Sequence, residues 1–182
     1  MADTSQETAL RLPLRTTVSE ESPEAEVVAL FEELRGPLLG YLATLGVPVQ
    51  EGEEVVQEAF LALFRHLRHG KSRENLRGWM FRVAHNVGLK RLKKNKRWDP
   101  SPETVAIADS GPSPEEAAAD QQKQQQLRAV VRALPEQDRR CLVLRAEGLR
   151  YREIAGVLNM SLGAVSMSLA RSLARLARVA ER

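Results

Sequence analysis

The sequence has a single cysteine, Cys141, and few aromatic residues. One cysteine excludes a disulfide framework within the chain and a metal site made of cysteines alone, and it favours a reducing, intracellular location. Phe, Trp and Tyr make up 4% of the 182 residues, while leucine, valine and alanine dominate, which favours helices packed on helices over a β-sandwich. The composition therefore predicts an all-α fold of one or two small domains.

The chain also lacks an apolar run long enough to span a bilayer, and residues 1–21 lack the basic start and apolar stretch of a secretory signal. We therefore expect no membrane segment and a cytoplasmic location. The sequence shows no phosphate loop, nucleophile elbow or zinc signature. His66 and His69 lie three residues apart without acidic or cysteine partners nearby, so we interpret them as surface histidines. These absences predict a protein that is not an enzyme and has no cofactor.

Charged residues are segregated along the chain, although the net charge is only +3. Residues 1–60 hold 3 basic and 12 acidic residues, whereas residues 61–98 hold 12 basic residues and one acid, Glu74. Residues 99–126 are acidic, and residues 127–182 hold 11 arginines against 5 acids. Two basic blocks separated by an acidic one suggest two surfaces that meet a polyanion. Solvated helix faces are the ordinary alternative, but the first basic block is too one-sided for it.

Apolar spacing and proline content divide the chain into four parts. Residues 1–23 are polar and predict a mobile tail. Residues 24–98 predict a helical domain with helices over 24–45, 53–69 and 76–94, the first of which should kink or split at Gly36-Pro37. Residues 99–120 contain four prolines and no Lys or Arg, which predicts a flexible acidic linker. Residues 121–182 predict a second helical domain.

The second domain shows the pattern of a helix-turn-helix. After a helix that begins near Gln121, helices are predicted over 136–147, 151–158 and 162–179, with a tight turn at 159–161 and Ser161 as the helix cap. A short helix, a turn and a second helix describe a DNA-binding motif, although an ordinary three-helix bundle is the alternative. The core positions predicted on the last helix are Leu162, Val165, Leu169, and Leu173 or Leu176.

Several segments resemble one known family, the bacterial RNA polymerase sigma factors. In the second domain these are Leu134-Pro135-Glu136, Leu144-Arg145, Glu147-Gly148-Leu149, Glu153-Ile154-Ala155, and Ser161, Gly163 and Val165. In the first domain they are Glu54-Val55-Val56-Gln57-Glu58-Ala59-Phe60-Leu61 and the run from Leu76 to Asn86. Their order, spacing and short linker resemble the two-domain extracytoplasmic-function (ECF) group, over about residues 24–98 and 121–178.

The resemblance implies roles for the first domain. Its first motif would dock on the clamp helices of the polymerase's largest subunit, through Val56, Gln57, Glu58, Phe60 and Leu61. Its second motif would open and read the minus-ten promoter element, because melted bases stack on aromatic rings. The residues implied for stacking and hydrogen bonding are Trp79, Phe81 and Asn86, and those for phosphates are Arg82, Lys90, Arg91, Lys93 and Lys94. Trp79 is equally suited to anchor the core.

The resemblance also implies that the second domain reads the minus-thirty-five element and docks on the polymerase flap. The implied DNA-binding residues are Arg150, Arg152, Ser166, Met167, Ala170, Arg171 and Arg175. The chain departs from the family where Ser166-Met167-Ser168 replaces the usual basic triplet. Arg150 and Arg152 replace Ser and Glu, and we hypothesise that they supply phosphate contacts instead. An inhibitory anti-sigma factor is a further partner that the resemblance allows.

Together these features predict an ECF-type sigma factor that binds core RNA polymerase and directs promoter recognition, promoter melting and transcription initiation. A free-standing helix-turn-helix regulator is one alternative, but it leaves the 55–60 segment and the basic third helix unexplained. A sigma-like interaction protein that titrates polymerase or an inhibitor is the other, and the atypical recognition helix keeps it open.

Overall fold

The computed structural model describes residues 22–95 and 117–180, with side chains described up to residue 95 and from 125 to 178. Within these ranges all regular secondary structure is helical, which confirms the all-α prediction. The helices are α1 (Pro23–Leu45), α2 (Val49–Arg68), α3 (Leu76–Asn95), α4 (Ala117–Arg132), α5 (Glu136–Ala146), α6 (Tyr151–Leu158) and α7 (Leu162–Ala180). The predicted tail up to residue 21 and the predicted linker up to residue 116 lie outside the described residues, and residues 117–120 begin α4.

Helix α1 begins with a capped first turn. The Ser22 hydroxyl accepts a hydrogen bond from the Ala25 N–H at 3.2 Å, and Pro23 occupies the first turn, where its missing N–H costs nothing. The helix continues through Gly36-Pro37, so the predicted split does not occur. Leu34 and Leu38, on either side of the proline, are both fully buried, and this packing holds the two halves in one helix.

The first domain is built from α1, α2 and α3, each packed against the other two. A buried aromatic group lies between α1 and α3. The Tyr41 ring packs edge-on against Phe81 with ring centroids 5.6 Å apart, and the Tyr41 hydroxyl is 2.8 Å from Nδ1 of His85. Because all three residues are buried, this group fixes which face of α3 turns inward and therefore which face turns outward.

In the second domain α6 and α7 meet at 105°, an angle typical of a helix-turn-helix. Asn159 ends α6 in the left-handed region at φ 53°, and the Ser161 hydroxyl accepts a hydrogen bond from the Ala164 N–H at 3.2 Å. This confirms the predicted turn and its serine cap. The observed bounds of α6 are those predicted. Cys141 is buried.

The core face of α7 differs from the prediction at its first residue. Val165 and Leu169 are buried, whereas Leu162 is 47% exposed. Of the two alternatives at the other end, Leu173 is 55% exposed and Leu176 is half-buried, so Leu176 is the one that turns inward. The inner face instead includes the buried serines Ser168 and Ser172. The Ser172 hydroxyl donates to the Ser168 carbonyl at 2.9 Å, so its polar atom is satisfied. Small side chains at these two positions allow α7 to pack closely against α4 and α5.

The two domains are in direct contact. Helix α1 packs against α5, helix α3 packs against α6, and the buried residues of the two domains form one continuous apolar cluster. Arg77 of α3 crosses the boundary: its Nε donates to the Glu147 carbonyl at 2.7 Å, and its guanidinium lies 3.3 Å from the Glu147 carboxylate. The same guanidinium pairs with Glu33 of α1 at 2.6 Å.

Candidate nucleic-acid interface

A stripe of polar and basic residues follows the outer face of α3. Its members are spaced three or four residues apart, as one face of a helix requires. Arg82, Asn86, Lys90 and Lys93 are exposed, and Trp79 at the start of the stripe is half-buried. We call this set the α3 stripe: Trp79, Arg82, Asn86, Lys90 and Lys93. It presents one aromatic ring, one amide and three cations in a row, which suits the bases and phosphates of a single strand.

Trp79 is placed for both roles that the sequence left open, a core anchor and a base-stacking residue. One side of its indole packs on the imidazole of His66, with ring centroids 4.8 Å apart, and the His66 Nε2 is 2.8 Å from the Ser72 carbonyl oxygen. The indole is therefore held in place from one side by α2 and the following loop. The accessible part of the ring lines a surface cavity next to Gly78 and Arg82, where a flat base could stack.

Phe81 lies on the opposite side of α3 and is fully buried. It packs against Tyr41, and the Arg77 guanidinium lies 5.9 Å from its ring centroid. The expectation that Phe81 stacks on DNA is therefore wrong. The reason is geometric: two residues from Trp79 correspond to about 200° around a helix, so both rings cannot face the same way.

The cations of α3 divide into exposed and paired ones. Lys90, Lys93 and Lys94 are exposed. Arg91 instead points back to α2, where its guanidinium lies 2.5 Å from the Glu54 carboxylate and 3.8 Å from that of Glu58. Arg91 therefore links α3 to α2, and the phosphate contact expected of it stays a prediction that competes with these two partly exposed ion pairs.

The residues implied for polymerase binding separate into two faces of α2. Val56 and Phe60 are 1% and 6% exposed, and Phe60 packs edge-on against Phe31 at 5.0 Å. These two residues stabilise the core, so the expectation that they contact the polymerase directly is wrong. Gln57, Glu58 and Leu61 are exposed together on the outer face.

Next to Leu61 the structure places residues that the sequence pattern did not single out. Leu61, Phe64, Arg65, Arg68 and His69 line a shallow groove of about 300 Å³. The Arg68 guanidinium lies 5.6 Å from the Phe64 ring centroid. Phe64 and Arg65 follow Leu61 by three and four residues, and Arg68 and His69 by seven and eight; this helical spacing is the signal that would have revealed the set. The groove offers an apolar floor with a basic rim.

On the recognition helix α7 the outward positions are as expected. Ser166, Met167 and Ala170 are exposed, and Met167 is the most accessible of them at 63%. Arg175 is also exposed. The surface that α7 presents near its N-terminus therefore consists of small and apolar side chains, which suits close approach to a groove more than strong attraction to phosphates.

Arg171 is held within the domain. Its guanidinium makes a two-pronged ion pair with the buried Asp138 of α5, at 2.8 and 3.2 Å, and a third contact with the Ser168 hydroxyl. The Arg171 hydrogen bond is the main cause that holds the pKa of Asp138 below its ordinary value. Arg171 therefore fixes α7 against α5, and its DNA role from the sequence competes with this one.

Arg150 and Arg152, expected to contact phosphates, are exposed at the start of α6. The Arg150 N–H donates to the Glu153 carboxylate at 2.6 Å, which fixes the first turn. Arg152 faces the first domain. It lines, with Glu153 and Gly156, the same cavity of about 320 Å³ that Trp79 and Arg82 line from α3.

Two further properties of the described residues bear on function. The described residues contain no group of His, Cys, Asp and Glu side chains that could hold a metal ion. Across the described ranges no single helix is both long and apolar enough to cross a membrane, and only the bent pair of α6 and α7 passes by length and composition.

Comparison with known families gives two matches, one in each helical domain. Residues 30–98 match the family described as Sigma-70 region 2, and residues 124–176 match Sigma-70, region 4. Together the matches cover about two thirds of the chain, and they correspond to the first and second helical domains.

Relatives of similar length are also found. The ECF RNA polymerase sigma factor RpoE of Cereibacter sphaeroides is 28% identical over 168 residues, which cover 90% of this chain and 91% of the relative. The ECF RNA polymerase sigma-E factor of Escherichia coli strain K12 is 29% identical over 137 residues, which cover 69% of this chain and 72% of the relative.

The solved structures that share the fold include two complexes. One is the sigma factor RpoE in complex with the anti-sigma factor NepR from Bartonella quintana, with a TM-score of 0.60 and 18% identity over 86% of this chain and 97% of that one. The other is CnrH in complex with the cytosolic domain of CnrY, with a TM-score of 0.54 and 21% identity over 87% of this chain and 89% of that one.

Proposed function

Because the chain belongs to the sigma-70 family and is an ECF-group sigma factor that binds core RNA polymerase and directs transcription initiation, we propose which of its surfaces carry out each step. The observation that carries the proposal is the α3 stripe, an aromatic ring followed by an amide and cations on one exposed helix face. Sigma factors are non-catalytic initiation factors, and we propose that this chain likewise has no enzymatic activity and acts in the cytoplasm, where RNA polymerase works.

The polymerase-binding surface is the outer face of α2. Gln57, Glu58 and Leu61 supply it, and the neighbouring groove of Phe64 and Arg68 extends it. An apolar side chain that is half exposed beside a basic rim fits a mixed apolar and acidic helical partner, because such a partner buries the leucine and pairs with the arginines. The clamp helices of the largest polymerase subunit are the partner implied by the family.

The α3 stripe binds the melted strand of the minus-ten element. Trp79 stacks on a base, Asn86 offers an amide to a base edge, and Arg82, Lys90 and Lys93 hold successive phosphates. Lys94 adds charge at the end of the same helix. Trp79 is suited to stacking because His66 fixes its ring from behind, so little side-chain freedom is lost on binding.

The second domain binds the minus-thirty-five element and the polymerase flap. Ser166, Met167 and Ala170 face the major groove, while Arg150, Arg152 and Arg175 contact phosphates. Arg171 contacts a phosphate as well only when its ion pair with Asp138 breaks. Since the exposed face of α7 near its N-terminus is poor in cations, this domain contributes less of the DNA affinity than the α3 stripe.

We further propose that an anti-sigma factor regulates the chain. The two solved structures described above are complexes, one with the anti-sigma factor NepR and one with the cytosolic domain of CnrY. Exposed apolar residues such as Val28, Leu162 and Leu173 are available for such a partner.

In vitro transcription tests the proposal. Bacterial core polymerase is combined with this protein on a pool of promoter fragments from the source genome, and start sites are mapped. New start sites that require the protein are expected. Binding to polymerase without any new start site would favour the titrating interaction protein, and DNA binding without polymerase binding would favour the free-standing regulator.

Matched variants assign the surfaces. Leu61→Glu should abolish binding to core polymerase in a pull-down, because a charge replaces the half-exposed leucine. Val28→Glu places the same change on the exposed side of α1 and should bind normally. Asn86→Ala should keep polymerase binding and lose start-site formation by on the order of tenfold. Equal loss in Leu61→Glu and Val28→Glu would contradict the assignment of α2.

A further inference from the structure

We propose that Met167 is a specificity-determining residue that reads the C5-methyl groups of thymine in the major groove of the minus-thirty-five element. The inference rests on the proposed function of the second domain, and it deepens that function by naming the base chemistry that α7 recognises. It is carried by the exposure of Met167, by its position on α7, and by the kinds of side chain that this part of the helix lacks.

The part of α7 nearest the turn carries none of the side chains that pair with base edges through two hydrogen bonds. Residues 162–170 contain no charged residue, no asparagine and no glutamine. Arginine and lysine pair with guanine, asparagine and glutamine with adenine, and acidic side chains with cytosine. Since the N-terminal residues of a recognition helix are those that meet base edges, this helix cannot select guanine, adenine or cytosine in the usual way.

Met167 projects from a surface of small residues. Its side chain is 63% exposed and lies opposite the buried Val165 and Leu169, because two residues correspond to about 200° around a helix. Gly163 and Ala170 lie within about 60° of it around the helix axis, and both are exposed. A Cβ added at Gly163 would meet nothing within 4 Å. Met167 is therefore a flexible apolar side chain flanked by small ones, a shape that can enter a groove without obstruction.

Thymine is the base whose major-groove edge matches this surface. It alone among the four bases presents a methyl group there, and apolar side chains contact that group. The thioether chain of methionine is polarisable and has three rotatable bonds, so it can follow the position of a methyl group. Burial of a group of this size changes a binding constant by a factor of about four. From Gly163 to Ala170 the helix rises about 10 Å, or roughly three base pairs, so we expect Met167 to read one or two thymines within that length.

The surroundings of Met167 favour DNA over a protein partner. The exposed Leu162 and Leu173 lie about 120–140° away from it around the helix, so they share a different face. Protein interfaces centre on clusters of large apolar or aromatic side chains, and these directions do not bring the three residues together. Arg150 and Arg175, proposed to contact phosphates, carry no sequence information by themselves. Discrimination between bases therefore falls to Met167.

Replacement of thymine by uracil tests the inference, because uracil keeps the hydrogen-bonding groups of thymine and lacks only its methyl group. Core polymerase and the full chain are combined on a promoter fragment that gives a protein-dependent start site, and binding is measured with uracil at single thymines of the minus-thirty-five element. We expect a loss of about fourfold in affinity at one or two of these positions. The same replacement in the spacer between the two promoter elements is the control and should change nothing.

Variants separate Met167 from the phosphate contacts. Met167→Ala should weaken binding to the thymine promoter about fourfold and should bind the uracil promoter equally well. Met167→Leu keeps an apolar side chain of similar volume and should keep the preference for thymine. Arg175→Ala should weaken binding to both promoters by one factor, because it removes a phosphate contact. A preference for thymine in Met167→Ala as large as that of the wild type would overturn the inference.

Cytosine methylated at C5 gives a second test, because it carries the same methyl group on a base with different hydrogen-bonding groups. At the thymine most sensitive to uracil, a pair of methylated cytosine and guanine should bind the wild type about fourfold more tightly than an unmethylated pair. Met167→Ala should bind the two pairs equally. Equal binding of both pairs by the wild type would contradict the inference.

The outcomes distinguish this inference from the proposed function. Promoter binding and start sites without any effect of the methyl group would overturn the inference and leave the proposed function intact. A wild type that directs no start site would overturn both. If Met167→Ala weakened binding to core polymerase and kept the preference for thymine, Met167 would be a protein contact, and the inference would be wrong.

Discussion

At the residue scale, the Arg171 side chain has two possible partners: Asp138, with which it pairs in the structure, and a DNA phosphate. Asp138 is 3% exposed and depends on the Arg171 guanidinium for compensation. A carboxylate whose pKa is lowered in the folded state stabilises that state above its ordinary pKa, and this stabilisation is lost as the pH falls through the lowered value. The Arg171 side chain is 54% exposed and belongs to the helix proposed to face DNA, so Asp138 and a DNA phosphate compete for the same guanidinium.

We expect Asp138→Asn to separate these roles. The variant should unfold at a lower temperature by about a few degrees, because the ion pair between α5 and α7 is lost. It should bind duplex DNA more tightly, with a salt dependence steeper by about one phosphate contact, because Arg171 is released. Thermal unfolding followed by circular dichroism and a salt titration of DNA binding measure the two effects.

Arg175→Ala is the control for that pair of measurements. Arg175 is exposed on the same helix, so its removal should weaken DNA binding and leave the unfolding temperature within a degree or so. If Asp138→Asn weakens DNA binding as Arg175→Ala does, Arg171 contributes to DNA binding only through the position of α7.

How far single residues could be predicted depended on whether a distant partner decides their role. The exposure of Arg82, Asn86 and Lys90 follows from helical spacing within one segment. The roles of Phe81 and Arg91 do not, because they are set by Tyr41 on α1 and by Glu54 on α2. The sequence contains those partners but not the packing that brings them to α3.

At the scale of elements, the crossing of α1 and α3 depends on a glycine. A Cβ added at Gly88 would lie 2.8 Å from Cδ2 of Leu42, which is fully buried. Gly40 on α1 is exposed, and an added Cβ there meets nothing within 4 Å. The two glycines therefore predict opposite effects of the same substitution.

Gly88→Ala should destabilise the first domain by about 1–3 kcal/mol, because the two helices must move apart or Leu42 must leave its preferred rotamer. Gly40→Ala should stabilise it by roughly 0.5–1 kcal/mol, since alanine is the better helix former at an open position. Urea unfolding of both variants measures the difference, and a destabilised Gly40→Ala would contradict the structure at α1.

The basic half of α3 makes a separate prediction. Lys90→Ala and Lys93→Ala should each lower the salt dependence of single-strand DNA binding by about 0.7 in the logarithmic slope, because each removes one phosphate contact. Lys71→Ala changes an exposed lysine in the loop before α3 and should leave the slope unchanged. Fluorescence anisotropy over a range of salt concentrations measures all three, and an equal effect of Lys71→Ala would mean that only net charge matters.

Element boundaries were predictable where local chemistry sets them. The bounds of α6 were correct because Glu153 fixes its first turn and Asn159 its end, both within the segment. Helix α2 begins at Val49, four residues before the predicted start, because the preceding turn ends at Pro48 and the chain can enter a helix at once. The predicted inner face of α7 was wrong at Leu162, and its far end lies at Leu176 rather than Leu173, because packing against α4 and α5 decides which residues turn inward.

At the scale of the whole molecule, the sequence predicted two domains and a connection but not their contact. Charge blocks and the proline-rich segment are local features, and they are compatible with separated domains. The bridge of Arg77 joins residues 70 positions apart, and α6 meets α3 through side chains that the sequence pattern assigned to DNA. Surfaces selected for contact with a partner can contact each other when that partner is absent.

We call the arrangement in which the two domains touch the closed arrangement, as opposed to an open form with separated domains, and we expect it to respond to acid through His85. Burial is the main cause that lowers the pKa of His85 to about 4, and the nearby Arg140 cation of the second domain lowers it further. Tyr41 lies beside it and has a pKa raised by burial, and Cys141, which acts on Tyr41, has a thiol pKa raised in the same way. Both groups are uncharged in acidic and neutral solution, so they do not compensate a protonated His85.

The sign of the pH dependence follows from comparing proton binding in the folded and unfolded states. A histidine has an ordinary pKa near 6.5, so between that value and about 4 the unfolded chain binds a proton that the closed state does not. Stability is therefore fully present above about pH 6.5 and is lost as the pH falls, by about 2 kcal/mol between pH 7.5 and 5. Opening removes Arg140 from His85, which raises the pKa of the imidazole, so acid favours the open form as well.

We expect the wild type to show a larger radius of gyration and a lower unfolding temperature at about pH 5 than at about pH 7.5. His85→Gln, which cannot take up a proton in this range but can hydrogen-bond the Tyr41 hydroxyl, should lose most of both responses. His69→Gln removes an exposed histidine and should respond as the wild type does. If His85→Gln still opens at about pH 5, another group controls the acid response, and the electrostatic effect of Arg140 on His85 does not couple protonation to domain separation.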